Sequence, residues 1–134
     1  MQALVLIAHG SRRQASNQEV KDLACRLQQV AGNRYQLIEP GFLEIAEPSI
    51  PQAIEACIGS GATAVVVVPY FLAAGRHVAE DIPQIVKPVA QRHPDVSIRI
   101  SEHIGLSDFM TRLILDSADG HSPAVIDSDL EQAG

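Results

Sequence analysis

The chain has 134 residues, 46% of them hydrophobic and 19% charged, with a formal net charge of −6. That length supports one domain around a single core, and that balance excludes a disordered chain. The acidic total, the lack of any Lys/Arg run and the absence of tryptophan exclude a nucleic-acid surface, and the apolar runs at 3–8 and 62–69 fall far short of the ~20 residues of a membrane-spanning helix.

The first residues carry no basic segment, long apolar stretch and small-residue cleavage site, so a cytoplasmic location is expected. Cys25 and Cys57 have no CxxC neighbour, and both read as small buried hydrophobes of a reducing compartment.

In chain order, residues 3–8 read as a strand. A helix follows from about Ser16, with Val20, Leu23, Ala24, Leu27 and Val30 at helical spacing and a stop at Gly32-Asn33. Residues 36–42 form a second strand, where Pro40 points to a sheet edge or a bulge. Ser49 is a good N-cap for a helix that buries Ile50, Ala53, Ile54, Cys57 and Ile58 and ends at Gly59. "ATAVVVVPY", residues 62–70, is continuous and β-branched, as in a strand covered on both faces. "DIPQIVKPVAQRH", residues 81–93, is a third helix, kinked or begun by Pro88. "VSIRIS", residues 96–101, alternates as an edge strand does, and a last helix covers about 107–117. Residues 118–134 lack periodicity and read as a mobile or partner-docked tail, leaving 1–117 as the single domain.

Strands alternating with helices give an α/β fold: a small four-stranded parallel sheet with helices on both faces. Ligands of such sheets sit beyond the carboxyl ends of the strands. The first strand is followed there by His9, Gly10, Ser11, Arg12 and Arg13, and the second by Leu43, Glu44 and Glu47. The third is followed by Phe71, Leu72, Gly75, Arg76, His77, Glu80 and Asp81, and the fourth by Glu102 and His103. Three of the five histidines thus share one rim. His93 reads as a helix end and His121 as part of the tail, and neither receives a function.

A lone strand-end histidine is as often a hydrogen-bonded core residue as a ligand. Two imidazoles on one rim with a carboxylate nearby suit iron, cobalt or nickel, and the absence of a tight HxxxH or CxxC cluster argues against a permanently held metal. Asp81, one turn from His77, could fix that imidazole's tautomer. Phe71, Leu72 and their small neighbours suit a flat apolar ligand, whose charged edge Arg12, Arg13 and Arg76 could meet.

"AHGSR", "FLEIAEPSI" and "VVVVPYFLAAGRHVAEDIP", in this order and spacing over residues 4–83, resemble the class II tetrapyrrole chelatases, specifically the short CbiX/SirB-like sirohydrochlorin chelatases. The resemblance implies a flavodoxin-like three-layer sandwich and an enzyme that inserts a divalent metal (cobalt, iron or nickel) into sirohydrochlorin. It places His9 and His77 as the active-site histidines and metal ligands, and Glu44 as the catalytic acidic residue that follows the second strand. Gly10, Ser11, Arg12, Leu43, Phe71, Leu72, Gly75 and Arg76 would bind the tetrapyrrole. It further implies a homodimer around a shared cavity, with the metal as substrate and no resident cofactor. Competing readings are a non-catalytic metal or tetrapyrrole carrier, an anion-binding domain using "HGSRR", and a hydrolase built on Ser11. The last two lack a GxGxxG, a P-loop or a G-x-S-x-G elbow.

Overall fold

Residues 1–120, with His77 by its backbone, are described by the computed structural model. Strands β1 (Gln2–Ala8), β2 (Leu37–Phe42), β3 (Ala64–Pro69) and β4 (Ser97–Ile100) form one parallel sheet in the order β2-β1-β3-β4. Helices α1 (Gln14–Ala31), α2 (Ile50–Gly59) and α3 (Arg76–Arg92) make the crossovers, and α4 (Met110–Ala118) follows β4. The expected α/β class with helices on both faces is therefore the observed one. The expected tail lies, beyond residue 120, outside the described residues.

The two-residue alternation of β1 builds both faces. Ala3, Val5 and Ile7 pack with Val65 and Val67 of β3 against Ile50, Ala53, Ile54 and Cys57 of α2 and Ile82, Val86 and Val89 of α3. Leu6 and Ala8 point the other way and join Phe42 and the α1 residue Val20. Pro40 lies on the edge strand β2, opposite Leu6, where its missing N–H costs no ladder bond on the free side. The strand order reverses between β1 and β3, because β2 is added on one side of β1 and β3 on the other. Such a switch point opens a crevice at the carboxyl ends of those two strands.

Three expectations are corrected. The third helix begins at Arg76, not near Asp81, and runs unbroken through Pro83 and Pro88. Each interior proline costs about 3 kcal/mol. Burial of Ile82, Val86 and Val89, worth about 1.5–3 kcal/mol each, with half-buried Val78 and Ile85 beside them, outweighs that cost. Both prolines are left on the exposed side. Arg76, His77, Glu80 and Asp81 consequently belong to a helix and not to a loop. Cys25 is exposed, on the solvent side of α1, while Cys57 is buried as expected. Val30 is 85% exposed, since it lies about 80° round the helix from Val20, at the margin of the apolar stripe.

Ser49 caps α2 as expected: its hydroxyl accepts from the Gln52 N–H, and the Gln52 side chain accepts from the Ser49 N–H. Midway along α2, Glu55 accepts from Arg92, the last residue of α3, at 3.0 Å and pairs with His93 at 2.8 Å. The Arg92 guanidinium, seconded by His93, holds the Glu55 carboxyl below its ordinary value of 4.5. A depressed folded-state pKa stabilises the fold above the unfolded value and loses that contribution as pH falls through the folded one. A Glu55→Gln variant should therefore melt below the wild type near neutrality, and the gap should close in acid. Melting temperatures from about pH 7 down to about pH 3 check this.

Candidate functional site

Register places the central pair. Beyond the last formal β1–β2 partners, Ala8 and Phe42, the ladder continues: Leu43 N–H donates to the Ala8 carbonyl (2.9 Å) and Glu44 N–H to that of His9 (3.1 Å). The Glu44 backbone is thereby clamped beside His9 and Gly10. The side chains meet as well, with His9 Nε2 3.3 Å from Glu44 Oε1, and both stay open to solvent at 56% and 58% exposure. Gly10, at φ +95°, has no room for a side chain, because a Cβ there would overlap the Glu44 carbonyl oxygen. After Glu44 the chain reverses at Ile45 (φ +71°), and the Ala46 N–H donates back to the Glu44 carbonyl at 2.7 Å. Ser11 fixes the other loop: Asn17 accepts from its N–H (2.9 Å) and donates to its carbonyl (2.7 Å).

The β3 side closes on the same spot. Tyr70 N–H donates to the Ile7 carbonyl, and the next residue, Phe71, presents its ring edge-on to His9, with centroids 6.4 Å apart and planes at 86°. Gly105 N–H donates to the Phe71 carbonyl, and a Cβ at Gly105 would overlap the Leu72 carbonyl oxygen, so the segment after β4 braces the β3–α3 loop.

His9, Glu44 and Phe71 are thus in contact, with Gly10, Ser11 and Arg12 beside them. Gly75 caps α3, and His77 is the second residue of that helix, following the strand next to β1. Leu43 and Phe71 are half-buried against the α2–α3 core, while Leu72 is 69% exposed. Arg76 donates to Glu80 at 3.0 Å across a turn of α3. His103 does not join His9: it borders a separate recess of about 170 Å³ with Ala74, Ile82 and Glu102. Among the described residues no group of three or more His, Cys, Asp or Glu side chains could hold an ion. Cys57 offers no thiolate, since burial, with the nearby Glu39 charge, pushes its thiol up to about 11.

Sequence reasoning missed a second wall of this region. Gln14, Asn17, Gln18 and Lys21 line a cavity of about 400 Å³ with Ser11, Arg12 and the 45–47 turn. Their spacing along α1 (positions 14, 17, 18, 21) is a polar stripe at helical period and was the available signal.

The family model described as CbiX matches residues 3–120. The chain belongs to the CbiX family. This CbiX chain is 33% identical to the sirohydrochlorin cobaltochelatase of Methanocaldococcus jannaschii over 90% of its own length and 99% of that protein's. It is 34% identical to the chloroplastic sirohydrochlorin ferrochelatase of Arabidopsis thaliana over 84% of itself, but spans only 49% of that relative. Among solved structures, a putative cobalamin biosynthesis CbiX protein from Marinobacter aquaeolei matches with a TM-score of 0.74 at 26% identity, over 99% of this chain and 98% of that one. SirB from Bacillus subtilis with Fe3+ matches with a TM-score of 0.76 at 32% identity, over 86% of this CbiX chain and 45% of that protein.

Proposed function

We propose that this CbiX protein inserts a divalent metal, cobalt or iron, into sirohydrochlorin, with His9, Glu44 and His77 as its metal-handling and proton-accepting groups. The observation that carries the site is the 3.3 Å between His9 Nε2 and Glu44 Oε1. Two ligand atoms each about 2.1 Å from one ion lie about 3.0 Å apart at a right angle and about 3.4 Å apart at the tetrahedral angle. Imidazole and carboxylate are therefore spaced as neighbouring ligands of a single ion.

The chemistry needs two functions. The ion must shed water and be presented to the pyrrole nitrogens, and two pyrrole protons must leave as the nitrogen–metal bonds form. One lone pair cannot hold an ion and take a proton together, so a pair of groups with a third nearby divides the work. Two anchored ligands with open exposure favour delivery over retention, which agrees with the metal as substrate. Phe71, edge-on to His9, and exposed Leu72 offer apolar surface to the macrocycle face.

The pocket is open on one side, and this chain spans about half of the longer relatives. A second copy of the chain supplies the missing wall in the proposed homodimer, to which exposed Leu72, Phe109, Leu113 and Ile114 would contribute. The proposed location is the cytoplasm. No described helix is long and apolar enough to cross a membrane.

The test is anaerobic mixing of purified protein with sirohydrochlorin and cobalt, iron or nickel, following the change in visible absorbance. Acceleration above the spontaneous rate is expected with cobalt or iron. Stoichiometric binding of the metallated product with no acceleration would make the protein a carrier and overturn the proposal.

A further inference from the structure

We infer that the cavity between the start of α1 and the 45–47 turn is a carboxylate pocket for the acidic side arms of the tetrapyrrole, with Lys21 its specificity-determining cation. This rests on the chelatase reading of the adjacent His9–Glu44 pair. The cavity, about 400 Å³, is at the small end of ligand pockets, fitting one or two side arms and not a whole macrocycle. Its charged residues are Arg12, Lys21 and Glu47, a local balance of +1 in a chain whose total is −6. Among the described residues neither Arg12 nor Lys21 has a carboxylate partner, as is also true of Arg13, Arg26, Arg34, Lys87 and Arg99, but only Arg12 and Lys21 of these line this cavity. Lys21 is half-buried beside the cavity, so its charge is less screened than that of a free surface lysine.

The same two loops that build the metal pair build this wall. His9 is followed by Ser11 and Arg12, and Glu44 by Ile45, Ala46 and Glu47. The reversal at Ile45 sets Glu44 toward His9 and the next residues toward the cavity. A macrocycle presented to His9 and Glu44 therefore has one edge beside Arg12 and Lys21. The Asn17 bonds to the Ser11 backbone hold this wall in place before any ligand arrives. Glu47 opposes acids in the same cavity and limits how many arms enter it.

The experiment is a metal-free titration of the full-length protein with sirohydrochlorin and with its uncharged methyl ester, read by fluorescence, beside steady-state insertion rates. Lys21→Ala should weaken sirohydrochlorin binding about tenfold and Lys21→Glu more, with the loss in Kd and KM rather than kcat. Lys21→Arg should restore binding, and the ester should bind wild type and variants alike. Kd for sirohydrochlorin within about twofold of wild type in both Lys21→Ala and Lys21→Glu would overturn the pocket while leaving the chelatase reading intact. Wild-type protein that neither binds sirohydrochlorin nor accelerates insertion would instead remove the chelatase reading, and this inference with it. Melting temperatures of the variants separate either result from misfolding.

Discussion

Replacing His9 with alanine should lower the rate of metal insertion by about 100-fold or more while leaving the fold intact. The imidazole is more than half exposed, and its backbone carbonyl, not its side chain, holds Glu44 in register. Removing it therefore costs little stability, since exposed side chains away from caps and cores change stability by about 0.5 kcal/mol or less. What would be lost is one of the two proposed ligand atoms, which stand 3.3 Å apart. Glu44→Gln keeps the shape and removes the charge, and should also slow insertion. Because the two groups would serve one ion, the double variant should be no slower than His9→Ala alone, a departure from additivity that independent sites do not give. Insertion rates and thermal melts of the four proteins measure this. Turnover of His9→Ala within about threefold of wild type would remove the site assignment.

Gly10→Ala should damage both the stability and the chemistry of the rim. It forces an alanine to φ +95° and drives its Cβ into the Glu44 carbonyl oxygen, with the carbonyl carbon at 3.0 Å. Strain at such a dihedral costs about 1–3 kcal/mol before the collision is counted. Glu44 cannot retreat freely, because its N–H is bonded to His9 and its carbonyl to Ala46. The expected outcome is a melting temperature lower by roughly 5–10 °C together with slowed insertion, as the carboxylate leaves its place opposite His9. Gly61→Ala is the matched control. Gly61 has φ +106° with nothing within 4 Å of a Cβ, so it carries the dihedral strain without the collision. A smaller melting loss and unchanged insertion in Gly61→Ala, beside a larger loss and slowed insertion in Gly10→Ala, would assign the functional effect to the collision with Glu44.

Much of this architecture was legible in the residues because period and propensity agreed. The β-branched run at 62–70 became β3, Ser49 became a cap, and Pro40 and the alternation of 96–101 marked β2 and β4 as the two edges. Proline chemistry misled at the third helix. Local cost argued for a break near Pro88, but the decisive term was burial of Ile82, Val86 and Val89 against strands distant in sequence. Cys25 was misjudged because composition says cysteine is buried on average and only helix phase says which face it takes.

The His9–Glu44 meeting could not follow from spacing, since 35 positions separate them and a ladder extension of two backbone bonds joins them. The resemblance to a known family named His9 and His77 as the paired histidines and Glu44 as a further site residue, but not the contact between His9 and Glu44. Arg12 was legible as a ligand-facing cation, but the Gln14–Lys21 side of the cavity escaped because its members are ordinary polar helix residues whose common direction appears only once the 45–47 turn faces them.

The two hydrogen bonds that prolong the β1–β2 ladder also bear on how fast an ion can come and go. His9 and Glu44 stand on neighbouring strand ends of one sheet, so their spacing is set when the sheet forms and not when metal arrives. In the proposed site an incoming ion would meet two ligands already at their spacing, so that losing water is the step left to it. Exchange at such a site would then follow the ion's own hydration shell. Nickel, which gives up water more slowly than cobalt or iron, becomes the slow ion of the three for a reason that lies in its aqueous chemistry and not in any selective contact of the protein.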